Sequence, residues 1–500
     1  MNNSSHKTGP LCFFLSIALT VSAGAAVKPN PLFTDGAVLQ QETPIPVWGT
    51  ANDGEKVTVK FDGHEVSTTA TNGKWRVDLP AHKAGGPYEL VIVGDNTLTI
   101  TNVLVGEVWI CAGQSNMEFT LGGAANAKTE LPTANYPAIR MFTIAMKIAP
   151  APLAEANSKW VVCSPATAPN FSAVGSFFAR DIHKARSVPV GMIHSSVGGT
   201  PAQAWTSRDG LEKRPELKFY TDILTNSVAT FIKAVEDYRS ALETFHAKYT
   251  NPTVAGVAWT DLPRSGPVSP FTSPYTATSL YNGMIAPLVP YALRGVIWYQ
   301  GEANNWDQRY SVLFPDMIAD WREKWGRGDF PFLYVQVAPW AGLSPQIREQ
   351  QFLSLGRTTN TAMTVITDVG DAGNPHPNRK EAVGTRLALA ARALAYGDKI
   401  EYSGPLFASL KIDGNRAVIS FTHTGSGLLA KDGDLKGFTI TGAYQKFVPA
   451  KAEIVGDTVV VSSAEIPVPV AVRYGWDNVP DVNLYNKEGL PASPFRTNDW

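Results

Sequence analysis

The stretch Gly106–Thr120, GEVWICAGQSNMEFT, constrains the fold more than any other part of the sequence. Its apolar run Val108–Cys111 has the composition of a short buried strand, and the run stops at Ala112-Gly113. A buried parallel strand that ends in this way places the next side chains at the carboxyl edge of a sheet, where open α/β folds bind ligands. Ser115 is therefore either a nucleophile with a free backbone amide or a turn serine that caps the following helix.

Alternating strands and helices continue from this stretch to about residue 400. Further buried strands are predicted at Pro189–Ser195, Arg294–Tyr299, Phe332–Val337 and Met363–Thr367. Apolar residues at helical spacing predict helices at Ala173–Ala185 and Phe314–Trp325. The long charged helical stretch Phe219–Tyr249 and a segment rich in Pro, Ser and Thr form an insertion at about 207–279. We therefore assign residues 105–400 to one catalytic α/β domain that carries this insertion.

Both flanks of this domain have the alternating pattern of β-structure. Residues 26–104 contain the hairpin turn signals Asp62-Gly63 and Asn72-Gly73 and no segment with helical periodicity. Residues 401–500 alternate in the same way, with turn pairs such as Asp413-Gly414. The sequence predicts an N-terminal β-sandwich domain at 26–104 and a C-terminal β module at 401–500.

The N-terminus has the three parts of a signal peptide. Lys7 is followed by the apolar run Leu11–Ala23, and Ala23-Gly24-Ala25 is a small-x-small cleavage site. No other stretch approaches the ~18 continuous apolar residues of a membrane-spanning helix. We expect residues 1–25 to be removed, and the mature protein to be periplasmic or secreted without membrane association.

Charge and metal-ligand patterns exclude several classes of partner. The net charge is −1, which gives no electrostatic reason to expect nucleic acid as a partner. The eight histidines are scattered, and no Cys/His spacing is typical of a metal site, so neither a metal nor another cofactor is expected. Cys111 and Cys163 remain after processing, and the sequence leaves open whether they form a disulfide. It also leaves the oligomeric state open.

Polar groups follow four of the predicted strands. They are Ser115; Gly198-Gly199; Gln300, Glu302 and Asn304; and Asp368, Asp371 and His376. In a parallel sheet these groups share one edge and supply a nucleophile, backbone amides, side-chain amides and a base, which acyl transfer requires. Glu302 is either a solvated loop carboxylate or, if it is buried near Ser115, a group that orients a neighbour or a competing base. Trp205 is either a core residue or a platform on which a sugar stacks.

The serine motif differs from the G-x-S-x-G of α/β-hydrolases, because Met117 stands where the second glycine would be. The motifs GEVWICAGQSNMEF, HSSVGGTPAQAW, RGVIWYQGEANN and HPNRKEAVGTRLALAARALAYG resemble the sialate O-acetylesterase family of SGNH/GDSL hydrolases. The resemblance extends from about Phe33 to Trp500. It implies a flavodoxin-like α/β/α domain with β-sandwich-like modules at both ends.

The resemblance also implies an activity on acetylated sugars. The expected function is removal of O-acetyl groups, foremost the 9-O-acetyl group of sialic acid, through an acetyl-serine intermediate. One alternative is an esterase of acetylxylan or another plant polysaccharide. A second alternative, from a different class, is a non-catalytic carbohydrate-binding protein, which would have Ser115 and His376 too far apart for a hydrogen bond.

Carried onto this sequence, the family pattern makes Ser115 the nucleophile and His376 the general base. The implied oxyanion donors are the Ser115 amide, an amide of Gly198 or Gly199, and a side-chain amide of Gln300 or Asn304. The third catalytic residue departs from the pattern, because Gly373 stands where many SGNH enzymes have an aspartate. Asp371 and Asp368 are the nearest carboxylates, and a dyad whose imidazole is oriented by a backbone carbonyl is the other arrangement.

Overall fold

The computed structural model describes residues 27–249, 262–263 and 265–500, so the predicted signal peptide lies outside the described residues. Eight strands form the N-terminal part of the chain: β1 (Lys28–Pro29), β2 (Val38–Gln40), β3 (Ile45–Thr50), β4 (Lys56–Phe61), β5 (His64–Thr69), β6 (Lys74–Leu79), β7 (Gly85–Val93) and β8 (Thr97–Gly113). Strands β1, β3 and β6 form one small sheet, and β2, β4, β5 and β7 join a larger sheet through β8.

Strand β8 belongs to two parts of the molecule. Its first half pairs with the antiparallel β7, and its second half lies at the centre of the α/β sheet. The predicted domain boundary near residue 104 therefore falls inside one continuous strand. Backbone hydrogen bonds link the N-terminal strands directly to the strand that leads to Ser115.

The central sheet continues with β9 (Tyr136–Thr143), β10 (Trp160–Cys163), β11 (Val190–Ser196), β12 (Gly295–Tyr299), β13 (Phe332–Val335) and β14 (Thr361–Thr364). The strand order is β10-β9-β11-β8-β12-β13-β14, and all strands are parallel except the edge strand β10. The chain fills one side of β8 first and then the other, so β8 lies at the switch point where doubly wound sheets bind ligands.

Helices cover both faces of this sheet. They are α1 (Ser115–Glu118), α2 (Ala127–Glu130), α3 (Ala173–Arg186), α4 (Arg208–Glu212), α5 (Lys218–Lys248), α6 (Tyr310–Trp325), α7 (Pro345–Leu355) and α8 (Lys380–Leu394). Helices α3 and α8 pack together on one face, and α6 and α7 pack together on the other. The side chains of β8 alternate between the two cores, with Cys111 on the α3 side and Ile110 on the α6 side. This three-layer arrangement confirms the predicted α/β/α fold.

The C-terminal part consists of β15 (Leu406–Asp413), β16 (Arg416–Thr422), β17 (Leu428–Ala430), β18 (Phe438–Thr441), β19 (Val448–Pro449), β20 (Lys451–Val455), β21 (Thr458–Ser462), β22 (Ala471–Tyr474), β23 (Leu484–Asn486) and β24 (Phe495–Arg496). These strands form three sheets around a core of their own. The module contacts α7, where Arg496 forms an ion pair with Glu349 at 2.7 Å.

Cys111 and Cys163 are both buried free thiols, so the question that the sequence left open is answered in favour of two thiols. Within the ranges that the structure describes, no helix has the length and apolarity needed to cross a membrane. The segment that was predicted as an insertion contains α4 and the 31-residue helix α5, in agreement with the predicted long helical stretch.

Candidate active site

The end of β8 sets the position of Ser115. Gly113 has a φ of +135°, and a methyl group on its Cα would lie 2.2 Å from the carbonyl oxygen of Tyr299 on β12. Glycine is required here by both the backbone conformation and the close approach of the neighbouring strand. The amide of Gln114 then donates to the same carbonyl oxygen at 3.0 Å. The chain turns at this point into the short helix α1, and Ser115 is its half-buried first residue.

His376 reaches Ser115 from the loop between β14 and α8. Its Nε2 lies 2.7 Å from Ser115 Oγ, within hydrogen-bond distance. Burial lowers the pKa of His376 below its usual value of 6.5, and the positive charge of Lys380 lowers this pKa further. A neutral imidazole at this position accepts the hydroxyl proton of Ser115, which is what a general base must do.

The two candidate acids do not lie against this histidine. Asp368 forms a bidentate pair with Arg386, with both N–O distances at 2.7 Å. Burial acts to raise the pKa of Asp368, but Arg386 holds it below its usual value. Asp371 is exposed, and its Oδ1 accepts from the amide of Gly373 at 2.9 Å. Among the described residues, no side chain or carbonyl group hydrogen-bonds to Nδ1 of His376.

Asn116 connects three of the loops around the site, and the sequence analysis did not identify it. Its Nδ2 donates to Glu302 Oε1 at 2.6 Å and to the carbonyl oxygen of Pro375 at 2.9 Å. Its Oδ1 accepts from the ammonium group of Lys380. One buried amide thus links the serine turn, the loop after β12 and the residue that precedes His376. The only sequence signal for this role is its position directly after Ser115.

Lys380 and Glu302 add two buried ionisable groups to this network. Lys380 is completely buried, and its Nζ lies 5.0 Å from the ring centre of Phe119 and 5.1 Å from that of Tyr299. Burial lowers the pKa of Lys380 to about 7, although the charge of Glu302 acts to raise it. Burial raises the pKa of Glu302, whose Oε2 is buried without a hydrogen-bond partner in the described structure. This burial argues against the solvated interpretation of Glu302, and an orienting group and a competing base remain as its two alternatives.

The sequence does contain a signal for the burial of Lys380. Lys380, Val383 and Leu387 recur at helical spacing, and Val383 and Leu387 belong to the buried stripe of α8. A lysine in line with an apolar stripe is expected to be buried with a partner or with a lowered pKa. Periodicity therefore predicts the position of Lys380, whereas its partner Asn116 is 264 residues away.

Gly198 and Gly199 lie beside Ser115, in the turn that follows β11. A methyl group on Gly198 would lie 3.4 Å from Ser115 Cβ, so the Gly198 backbone faces the serine directly. Gly199 has a φ of +72°, which favours glycine. Within the described part of the chain, the amides of Ser115 and Gly198 have no backbone acceptor. Both amides are therefore free to donate to an oxyanion.

Gln300 and Asn304 differ in how many of their amide hydrogens remain free. Gln300 Nε2 donates to Asn304 Oδ1 at 2.8 Å and to the carbonyl oxygen of Thr200 at 3.3 Å, which uses both of its hydrogens. Asn304 Nδ2 makes one described hydrogen bond, to Gln203 Oε1 at 3.0 Å. One hydrogen of Asn304 remains for a ligand, so its side chain is the more suitable oxyanion donor of the two.

Trp205 is completely buried below the site. Its Nε1 donates to Thr200 Oγ1 at 2.9 Å, and its ring packs edge-on against Trp298 with 6.0 Å between centroids. This packing fits the core interpretation of Trp205 rather than the stacking interpretation. No cluster of three or more His, Cys, Asp or Glu side chains that could hold a metal ion occurs among the residues described.

Comparison with known proteins gives consistent matches. A family model described as carbohydrate esterase, sialic acid-specific acetylesterase, matches residues 105–260 and 268–392. The sialate O-acetylesterase of Rattus norvegicus is 30% identical over 98% of both chains, and that of Homo sapiens is 31% identical over 95% of this chain and 93% of its own. A crystal structure of a carbohydrate acetylesterase from Xanthomonas citri is 37% identical, with a TM-score of 0.81 over 95% of this chain and 100% of that one. The matched segments include Ser115 and His376.

Proposed function

The chain belongs to the sialic acid-specific acetylesterase family of carbohydrate esterases, and we propose that it removes O-acetyl groups from sialic acid by serine catalysis. As a member of this family it is a carboxylic ester hydrolase. The observation that carries the mechanism is the 2.7 Å hydrogen bond between Ser115 Oγ and His376 Nε2. This short distance also argues against the non-catalytic carbohydrate-binding alternative, which requires the two groups to be separated.

Catalysis begins when His376 Nε2 takes the hydroxyl proton and Ser115 Oγ bonds to the acetyl carbonyl carbon. The amides of Ser115 and Gly198, with the free hydrogen of Asn304 Nδ2, stabilise the oxyanion of the tetrahedral intermediate. When the intermediate collapses, the C–O bond to the sugar breaks and His376 returns the proton to the sugar hydroxyl. Water, deprotonated by His376, then hydrolyses the acetyl-serine to acetate and free Ser115.

In this mechanism the His376 loop is positioned by an amide instead of a catalytic carboxylate. Asn116 is a positioning residue, because it binds the carbonyl oxygen of Pro375 next to the base and the carboxylate of Glu302. The burial of His376 and the nearby charge of Lys380 keep the imidazole neutral, so a dyad of Ser115 and His376 is sufficient for proton transfer.

The test is hydrolysis of a chromogenic acetate ester, together with acetate release from O-acetylated sialic acid, by Ser115→Ala and His376→Ala. Each substitution is expected to lower kcat by about 10²–10⁴-fold, as removal of a nucleophile or a general base does. Ser409→Ala is the control, since Ser409 is exposed on β15 and makes no described contact with the site. Activity near the wild-type level in Ser115→Ala would exclude the proposed mechanism.

The proposed place of action is outside the cytoplasm, in the periplasm or the medium. The argument rests on residues 1–25, which have the charged, apolar and small-residue regions of a signal peptide. N-terminal sequencing of the protein recovered from the periplasm or medium should begin just after Ala25. A protein found only in the cytoplasm with Met1 intact would contradict this proposal.

A further inference from the structure

A cleft of about 360 Å³ opens beside the proposed oxyanion site, between α5 and the segment 270–277. Two consecutive glycines connect the cleft to the nucleophile. Gly198 faces Ser115, and a methyl group on Gly199 would lie 3.6 Å from Tyr275 Oη, which lines the cleft. The cleft therefore adjoins the Gly198 side of Ser115 and can be reached by the part of a substrate that extends beyond its acetylated sugar.

Apolar side chains on both sides of the cleft are accessible to solvent. Phe219 and Ile223 on α5 are 45% and 50% exposed, and Tyr275 opposite them is 58% exposed. Three large apolar side chains that remain exposed around one concavity indicate a binding surface, since isolated exposed apolar residues are normal but clustered ones are not.

The floor of the cleft is polar and connected to the catalytic network. Gln203 Oε1 accepts from Asn304 Nδ2, which fixes the orientation of the Gln203 amide. Gln203 Nε2 makes no hydrogen bond within the described residues, so its two hydrogens remain for a ligand. The Asp307 carboxylate also lines the floor, and it accepts hydrogen bonds from Tyr220 and from Arg309.

Aromatic and aliphatic side chains around a floor of amide and carboxylate groups match the apolar face and the polar hydroxyls of a sugar. The ring presents an apolar face of C–H groups, and its hydroxyls both donate and accept hydrogen bonds. The volume lies within the range of ~300–1,000 Å³ that is typical of small-molecule sites. We propose that this cleft is a subsite for the sugar residue that is linked to the acetylated one, an inference that rests on the proposed esterase function.

The subsite predicts that residues of the insertion decide substrate preference without taking part in the chemistry. The experiment measures kcat/KM for 4-nitrophenyl acetate, an O-acetylated sialyl oligosaccharide and an acetylated xylo-oligosaccharide. Ile223→Asp and Tyr275→Ala should lower the ratio of kcat/KM for one or both oligosaccharides to that for 4-nitrophenyl acetate by about tenfold. Which oligosaccharide is affected shows whether the acetylated sugar linked to the occupant is acidic or neutral.

Ile232→Asp is the matched control, because Ile232 lies on the same helix, is 52% exposed and does not line the cleft. It should leave both ratios unchanged, and it shows whether a charge on α5 disturbs folding. Unchanged ratios in both cleft variants would overturn the subsite. Failure of the esterase proposal is a separate result, namely full activity of Ser115→Ala on all three substrates.

Discussion

The loops that carry Ser115 and His376 meet at one hydrogen bond, but they are held in different ways. Main-chain contacts fix the serine turn, since Gly113 lies against Tyr299 and the Gln114 amide donates to the same carbonyl oxygen. The histidine loop is exposed over residues 371–374, and the Nδ2 group of Asn116 holds it next to the base. The nucleophile is therefore positioned by strand pairing, and the base is positioned by side chains.

This difference predicts which substitutions should displace Ser115 and which should displace His376. A parallel sheet fixes the serine turn through its backbone, so only substitutions that change backbone conformation should displace Ser115. Pro375 and His376 make no backbone–backbone hydrogen bond in the described part of the chain, although Asp371 and Ala372 do. Single side-chain substitutions around His376 should therefore displace it or change its pKa. Paired substitutions, one for each loop, test the contrast.

The largest contrast is expected between Gly113→Ala and Gly373→Ala. Alanine at 113 requires a positive φ and collides with the Tyr299 carbonyl group, so the free energy of unfolding should fall by more than about 2 kcal/mol. A misplaced Ser115 should also lower kcat by about 10²-fold. Gly373 lies in open space with Asp371 Oδ1 3.7 Å away, so alanine there should change stability by less than about 0.5 kcal/mol. Denaturant titration and ester hydrolysis measure both effects, and equal tolerance would refute the backbone argument.

Asn116→Ala should have the next largest effect. It removes the hydrogen bond to Pro375 and leaves the Glu302 carboxylate buried with no donor, so kcat should fall by about 10²-fold. Because Asn116 acts through His376, KM for a small acetate ester should change little. Asn374→Ala is the comparison, since its exposed side chain accepts only from the His376 amide and should matter less. A selective rise in KM would instead place Asn116 in substrate binding.

Lys380→Met should change the pH dependence of the reaction. The pKa of Lys380 is about 7, so this side chain is protonated where His376 titrates, below 6.5. Loss of that charge should raise the pKa of His376, so the acid limb of kcat/KM should move to higher pH. Lys399→Met, exposed beyond the other end of α8, should leave the profile in place. An acid limb that stays fixed in Lys380→Met would contradict the electrostatic role.

The smallest effect on activity is expected from Asp371→Asn. The asparagine keeps the acceptor for the Gly373 amide, and exposed substitutions of this kind change free energies by less than about 0.5 kcal/mol, or about twofold in kcat. Asp368→Asn should lower the melting temperature instead, because the paired charge on Arg386 is lost. A decrease of about 10⁴-fold in either variant with unchanged stability would identify that residue as the missing acid.

Much of the fold was predictable because it depends on local periodicity. The apolar runs that predicted strands at Pro189–Ser195 and Arg294–Tyr299 are confirmed as β11 and β12 within one or two residues. The helices predicted from 3.6-residue spacing are confirmed as α3 and α6, although α6 begins at Tyr310, before the predicted start at Phe314. Boundaries were harder to predict, since β8 runs through the expected junction at residue 104 without a turn signal.

The sequence alone determined that Ser115 and His376 each follow a predicted buried strand, because that signal is local. Only the tertiary structure decided the partners of these groups. Asn116 meets Lys380 and Glu302 across 264 and 186 residues, and Asp368 bonds to Arg386 instead of His376. No period or spacing encodes such pairs, because they depend on how separate loops converge at the carboxyl edge of the sheet.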